Sequence, residues 1–257
     1  MGLIPLPSKL DKSTTLNEFL IGLLPKRRNT CLLCVDKDQR TLNLKESTGG
    51  WTHDAIDLVY DDILRYNKTG TYDYTTFDYD TFNKGVLWWA DNVVGMESDW
   101  RQDVLNTDTE GNTAYGYTQI TKKTLPTMAN FWSNSVERYN RSAGERRWNP
   151  TMNISGFLDK KKTPDWVEDL KTSTNHIESI NDLTYDQVVA LTIVHAKGKT
   201  LDEDWVALQD GNETSCVTLY NKGHHTAPDA ATIKRSKEFF ICQKTKKPIS
   251  SWFSVFN

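Results

Sequence analysis

A helix that ends in a buried acid is the feature of this sequence that most limits how the chain can fold. Apolar residues recur at the spacing of one helical face, at Phe82, Val86, Trp89, Ala90 and Val93. The same spacing continues to Glu97, so we expect that carboxyl group at the edge of the core. Burial and the negative end of the helix dipole both disfavour a charged carboxylate. The sequence therefore predicts a Glu97 that stays protonated near neutral pH, as a general acid requires.

A polar loop follows this helix and leads into a compact turn, Ala114-Tyr115-Gly116-Tyr117-Thr118-Gln119-Ile120. The order of Glu97-Ser98, then Trp100, then this turn resembles the Glu-Ser … Gly-Leu-Met-Gln-Ile signature of the soluble lytic transglycosylases. Those proteins are lysozyme-fold enzymes that cleave peptidoglycan. The resemblance covers the segment from Met96 to Ile120 and a weaker match further along the chain.

The resemblance implies a reaction and a set of site residues. Glu97 would be the single general acid and base that cleaves the bond between N-acetylmuramic acid and N-acetylglucosamine and leaves 1,6-anhydro ends. Ser98, Tyr117 and Gln119 match substrate-contact positions of the signature, and Tyr115 is their neighbour. The partner would be a peptidoglycan glycan strand, and no metal or cofactor would be needed.

A later helix of the family ends in Ala-Tyr-Asn-Ala-Gly, whose tyrosine lies close to the catalytic glutamate. The closest segment that we identify is Val194-His195-Ala196-Lys197-Gly198, which has His in place of Tyr and Ala in place of Asn. His195 is therefore a candidate substrate-binding residue by alignment. A structural histidine at a helix end is the alternative.

Two other functions remain open at this stage. A hydrolysing muramidase would need a second carboxylate, for which the following loop offers Asp99, Asp103 or Asp108. A catalytically inactive virion protein could keep a lysozyme-like fold with the altered segment around His195.

The predicted fold is mainly α, with a lysozyme-like α+β catalytic domain over residues 51–257. Helical patterns cover residues 52–66, 121–138 with a break or kink at Pro126, 164–170 and 185–197, and residues 140–163 read as an exposed loop. Thr184 and Gln187 have the spacing of a capping box for the fourth helix, which is apolar nearly all round and should be buried. Asp80 or Thr81 is the expected cap of the helix that carries Glu97.

Residues 1–50 differ from the rest and are predicted to form a small appendage of a short helix and a β-hairpin. This segment is either a docking site for other virion proteins or an edge of the main domain. Cys31 and Cys34 lie in its first strand. A zinc or redox role is one interpretation, but two thiols at this spacing point to opposite faces of a strand, which favours reduced, packed cysteines.

Charge and hydropathy limit the partners. The net charge is −3, and residues 51–110 hold four Lys or Arg against thirteen Asp or Glu, a surface unsuited to nucleic acid. No apolar run is long enough to cross a membrane, and residues 1–12 lack the apolar segment of a signal peptide. We therefore expect a bacteriophage product, carried in the virion or held in the host cytoplasm before release, that acts on the bacterial cell wall.

Overall fold

The computed structural model describes residues 50–66, 77–108, 111–146, 160–225 and 228–245. Within these ranges the chain is mainly helical with a small antiparallel sheet, as the sequence predicts. Of the predicted appendage, residues 1–50, all but Gly50 lie outside the described residues, Cys31 and Cys34 included, so its hairpin and its docking role stay predictions.

The described elements are, in chain order, α1 (Trp51–Tyr66), α2 (Tyr79–Ser98), β1 (Leu105–Thr107), β2 (Thr113–Tyr115), β3 (Ile120–Thr121), α3 (Thr124–Arg146), α4 (Asp165–Lys171), α5 (His176–Asn181), α6 (Tyr185–Lys197), α7 (Asp202–Val206), α8 (Glu213–Thr218), a π-helix (Leu219–His224) and α9 (Ala230–Thr245). Strands β1, β2 and β3 pair in that order, with Leu105 opposite Tyr115 and Tyr115 opposite Ile120. The sequence pattern predicted a loop and a turn there because strands of two or three residues leave no detectable alternation.

Helix α6 is the centre of the fold. It packs against α1, α2, α3 and the π-helix. Its apolar residues are buried all round, as the sequence predicts, and the predicted capping box is present: the Thr184 side chain accepts from the Gln187 N–H, and the Gln187 side chain accepts from the Thr184 N–H. A helix apolar on every side has to be enclosed by other elements, and this requirement arranges the remaining helices around it.

The start of α2 differs from the prediction. The helix begins at Tyr79, and its cap is Asp78 rather than Asp80 or Thr81, because the Asp78 carboxylate accepts from the Thr81 N–H at 2.8 Å. Both predicted caps were therefore wrong by two or three residues.

Helix α3 is longer and less interrupted than the sequence suggested. It runs without a break from Thr124 to Arg146, and Pro126 lies in its first turn, where a missing N–H costs no helical hydrogen bond. The predicted break at Pro126 is wrong, and so is the loop assignment for residues 140–146.

The C-terminal end of α6 carries a buried charge that is fully paired. The Lys197 ammonium lies 3.0 Å from an Asp62 oxygen and 2.8 Å from an Asp202 oxygen, and the Arg138 guanidinium lies 3.0 Å from the other Asp62 oxygen. A buried lysine is tolerated when it is paired in this way. The network joins α1, α3, α6 and α7.

Within the described ranges, no helix combines the length and the apolar character needed to cross a bilayer.

Helix α1 is capped by a residue of another helix. The Asp186 carboxylate, in the first turn of α6, accepts from the backbone N–H of Trp51 at 2.8 Å and from that of Thr52 at 3.0 Å. The Thr52 hydroxyl also donates to this carboxylate. Asp186 is buried, so these bonds replace its contacts with water.

We expect Asp186→Ala to lower the free energy of unfolding by about 1 to 2 kcal/mol, the usual cost of losing a helix cap, measured by urea denaturation. Asp182→Ala, at an exposed position before the same helix, is the matched control and should change stability by less than about 0.5 kcal/mol. Equal effects of the two substitutions would contradict a capping role for Asp186.

Candidate active site

Helix α2 delivers Glu97 as the apolar periodicity predicts. The residues of its apolar stripe, Phe82, Val86, Trp89, Ala90 and Val93, are completely buried, and Glu97 is 3% exposed. The carboxyl group therefore lies at the edge of the core, at the C-terminal end of a helix whose other end is capped.

A tight left-handed turn fixes the backbone after Glu97. Asp99 and Trp100 both have positive φ, 55° and 58°. The Trp100 indole folds back on α2, where its N–H lies 3.0 Å from both the carbonyl and a carboxylate oxygen of Asp91. It lies so close to Gly95 that a Cβ there would be 2.1 Å from the ring, so only glycine fits. The turn therefore holds the end of α2 rigidly.

Three side chains from the C-terminal part of the chain surround the Glu97 carboxylate. The Tyr220 hydroxyl donates a hydrogen bond to Oε1 of Glu97. The Nε2 atoms of His224 and His225 lie 3.6 and 3.4 Å from the same oxygen, and His225 Nε2 also lies 2.8 Å from the Tyr220 oxygen. None of these three residues is among the predicted site residues.

The π-helix positions Tyr220, and α6 positions the π-helix. Gly223 lies against Ala196 so closely that a Cβ on Gly223 would be 2.8 Å from the Ala196 Cβ. Tyr220 is completely buried by this contact and its neighbours. His224 also hydrogen-bonds to the backbone of Thr118, so the 115–120 turn, the π-helix and Glu97 are joined through one imidazole.

The pKa of Glu97 differs from the prediction. Burial raises it, as expected, but the hydrogen bond from His225, the charges that the two imidazoles carry when they are protonated and the hydrogen bond from Tyr220 together lower it to about 2. Burial lowers the pKa of His224 to about 4, so at neutral pH His224 is uncharged and the hydrogen bonds remain. The prediction of a Glu97 protonated at rest is therefore wrong: the free site holds a carboxylate.

The tyrosine that lies beside Glu97 is Tyr220, and the substrate contact of His195 stays a prediction. The segment Leu219-Tyr220-Asn221-Lys222-Gly223 fits the Ala-Tyr-Asn-Ala-Gly pattern better than the segment at 194–198 does. His195 lies in the core, 2% exposed, with its ring 5.6 Å from that of Phe131. The sequence feature that could have identified Tyr220 was the Tyr-Asn-x-Gly string at residues 220–223.

The predicted substrate-binding residues near Glu97 have structural contacts. The Ser98 hydroxyl donates to the Val94 carbonyl at 3.1 Å and accepts from the Arg101 N–H at 3.2 Å. The Gln119 amide group donates to the Val104 and Gly116 carbonyls at 3.0 and 2.8 Å, and its oxygen accepts from the Asn106 side chain. Both side chains thus fix the loop and the turn near the acid. Their predicted contacts with substrate stay predictions.

The two predicted tyrosines of the turn are partly buried. The Tyr117 ring lies edge-on to Tyr185, 4.9 Å between centroids, and burial raises the pKa of its hydroxyl. The Tyr115 hydroxyl donates to the Asn181 side chain at 3.1 Å. Each ring keeps part of its surface in contact with solvent, so either can still contact a ligand.

Two of the acids proposed as a second carboxylate have other partners. Asp103 forms a two-pronged ion pair with Arg101 on the surface, at 3.0 Å for each bond, and this lowers its pKa. Asp108 accepts from the backbone and the side chain of Asn112, at 2.8 and 2.9 Å, within the hairpin loop. Asp99 lies at the left-handed C-cap of α2.

Within the residues that the structure describes, no three His, Cys, Asp or Glu side chains are arranged to hold a metal ion.

No family model, no curated protein and no solved structure matches the chain. The functional interpretation therefore depends on the geometry around Glu97 and on the resemblance of its short motifs.

The buried His195 makes stability depend on pH. Burial, together with the charges of Lys199 and His224, lowers its pKa from 6.5 to about 3. The unfolded chain therefore binds one more proton than the folded chain between these values, and we expect stability to fall as the pH is lowered from 6.5 toward 3. Urea denaturation at several pH values should show that the free energy of unfolding falls less across this range in His195→Leu than in wild type, by more than about 1 kcal/mol. The same pH dependence in both proteins would contradict this account of His195.

Proposed function

We propose that the protein is a peptidoglycan lytic transglycosylase with a lysozyme-like catalytic domain and Glu97 as its single general acid and base. The observation that carries the proposal is the buried hydrogen bond from Tyr220 to Glu97. It joins the Glu-Ser segment to the Tyr-Asn-x-Gly segment, two motifs of the resemblance that are far apart in sequence.

The architecture around Glu97 supports this fold assignment. The chain is mainly helical, and a small three-stranded antiparallel sheet directly follows the helix that ends in Glu97. The 115–120 turn is connected to the acid through His224 and Thr118.

The reaction needs one carboxyl group in two protonation states. Glu97 in its acid form donates a proton to the oxygen between N-acetylmuramic acid and N-acetylglucosamine, and the bond to the muramic acid C1 breaks. The N-acetyl group of the substrate stabilises the oxocarbenium-like centre. The Glu97 carboxylate then takes the proton of the C6 hydroxyl, whose oxygen bonds to C1 and closes the 1,6-anhydro ring.

The contacts of two of the three candidate loop acids, Asp103 and Asp108, favour transglycosylation over hydrolysis. A hydrolase needs a second carboxylate near the scissile bond. Asp103 and Asp108 are bonded to Arg101 and Asn112 instead.

The proposed setting is a bacteriophage product that reaches the cell wall from the virion or from the host cytoplasm, with residues 1–50 as the proposed contact with other virion proteins.

We expect purified sacculi digested with the protein to yield muropeptides with 1,6-anhydro ends, identified by mass spectrometry. Glu97→Gln should reduce their release by at least about 100-fold, because an amide can neither donate nor accept the proton. Glu137→Gln, at an exposed position on α3, is the matched control and should release them at the wild-type rate. Reducing ends would indicate a muramidase, and equal release by wild type and Glu97→Gln would exclude Glu97 as the acid.

A further inference from the structure

Two adjacent imidazoles, His224 and His225, lie against the carboxylate of Glu97. Of these groups His225 is the one open to solvent: its side chain is 31% exposed, whereas that of His224 is 11% and that of Glu97 is 3% exposed. A proton that travels from water to Glu97 therefore enters at His225, whose Nε2 lies 3.4 Å from Oε1 of Glu97 and only 2.8 Å from the Tyr220 oxygen that is bonded to Oε1.

The direction of the hydrogen bonds in this chain can be assigned from the number of protons. Tyr220 has a single hydroxyl proton, and it is donated to Oε1 of Glu97. The 2.8 Å contact between the Tyr220 oxygen and Nε2 of His225 must then have the imidazole N–H as donor. His225 is also held by its backbone N–H, which donates to the Tyr220 carbonyl at 3.3 Å. The three groups thus form a chain in which every bond points toward Glu97.

We propose that His225 supplies the proton that Glu97 donates to the substrate, and that the proton passes through the Tyr220 hydroxyl. The inference rests on the proposed function of Glu97. The imidazolium of His225 gives its Nε2 proton to the Tyr220 oxygen while the Tyr220 hydroxyl proton moves to Oε1 of Glu97. An imidazolium and a carboxylate become a neutral imidazole and a carboxylic acid, and Nδ1 of His225 keeps the proton it obtained from water.

Substrate binding provides the driving force. In the free site Glu97 is a carboxylate, because hydrogen bonds from Tyr220 and His225 lower its pKa. A glycan that covers the site removes water from His225, and loss of water disfavours an ion pair relative to a neutral pair. The acid form of Glu97 is then produced when a substrate is present to receive its proton. His225 acts through Tyr220 and is therefore a positioning residue.

His224, Lys199 and Asp229 are further ionisable groups at this end of the site. His224 faces the same carboxylate but is neutral at pH 7, because burial lowers its pKa to about 4. Lys199 adds a positive charge that disfavours protonation of His224. Asp229 is held ionised, chiefly by its hydrogen bonds to Thr232 and in small part by His225. His225 is therefore the solvent-exposed imidazole through which a proton can reach Glu97.

The test compares the pH dependence of muropeptide release by wild type and by His225→Gln. Glutamine can donate a hydrogen bond to Tyr220 but cannot carry an exchangeable charge. We expect release by His225→Gln to be about tenfold or more below wild type at pH 7, and this difference to narrow toward pH 5, where the higher hydronium concentration lets Glu97 gain a proton without an imidazole. Imidazole added to His225→Ala should restore part of the rate at pH 7. His53→Gln, at an exposed position on α1, should follow the wild-type profile.

A second measurement does not need substrate. NMR titration of 13C-labelled glutamate should show a higher pKa for Glu97 in His225→Gln than in wild type, because the hydrogen bond and charge of His225 contribute to lowering it. Identical Glu97 titrations, or identical pH profiles for wild type and His225→Gln, would overturn the proposal for His225. Failure of wild type to release muropeptides at any pH would instead overturn the proposed function, and the titration would still decide whether His225 and Glu97 are coupled.

Discussion

The structure of the site depends on one buried hydrogen bond, from the Tyr220 hydroxyl to the Glu97 carboxylate. A buried carboxylate is costly unless donors replace the water it has lost. Here the donors come from a segment more than a hundred residues further along the chain. The need to satisfy one acid at the end of α2 therefore determines where the π-helix must lie, and the π-helix in turn brings the two histidines to the acid.

Helix α6 makes this placement possible because it is enclosed on all sides. The π-helix approaches it closely at Gly223 and Ala196, and the Thr192 hydroxyl of α6 donates to the Thr118 hydroxyl at 3.3 Å. Helix α6 thus supports both the π-helix, whose Tyr220 bonds to Glu97, and the turn that we propose to contact the glycan. Pairing of Lys197 with Asp62 and Asp202 fixes the end of this helix without leaving an unpaired charge in the core.

The sequence predicted what local periodicity encodes. The stripe that ends at Glu97, helix α1, the buried helix α6 and its capping box were all readable because each depends on residues close together in the chain. The contact between Tyr220 and Glu97 could not be predicted in this way, because the helices around Tyr220 are short and show no clear apolar periodicity. The same contact explains why the predicted protonation state of Glu97 was wrong. Burial of Glu97 was visible in the sequence pattern, whereas the hydrogen-bond donors that outweigh burial come from a distant segment. The apolar pattern of α6 favoured His195, whereas Tyr220 lies in a short segment with no such pattern.

The most direct test of this account is a double-mutant cycle on the free energy of unfolding with Glu97→Ala and Tyr220→Phe. If the hydroxyl binds the carboxylate in the core, the two substitutions should be non-additive, with a coupling of at least about 1 kcal/mol. Tyr185→Phe is the control, because its hydroxyl donates to Asp91 at 2.7 Å, and it should be additive with Glu97→Ala. Additive effects of Glu97→Ala and Tyr220→Phe would show that the two side chains do not interact, and would contradict the account.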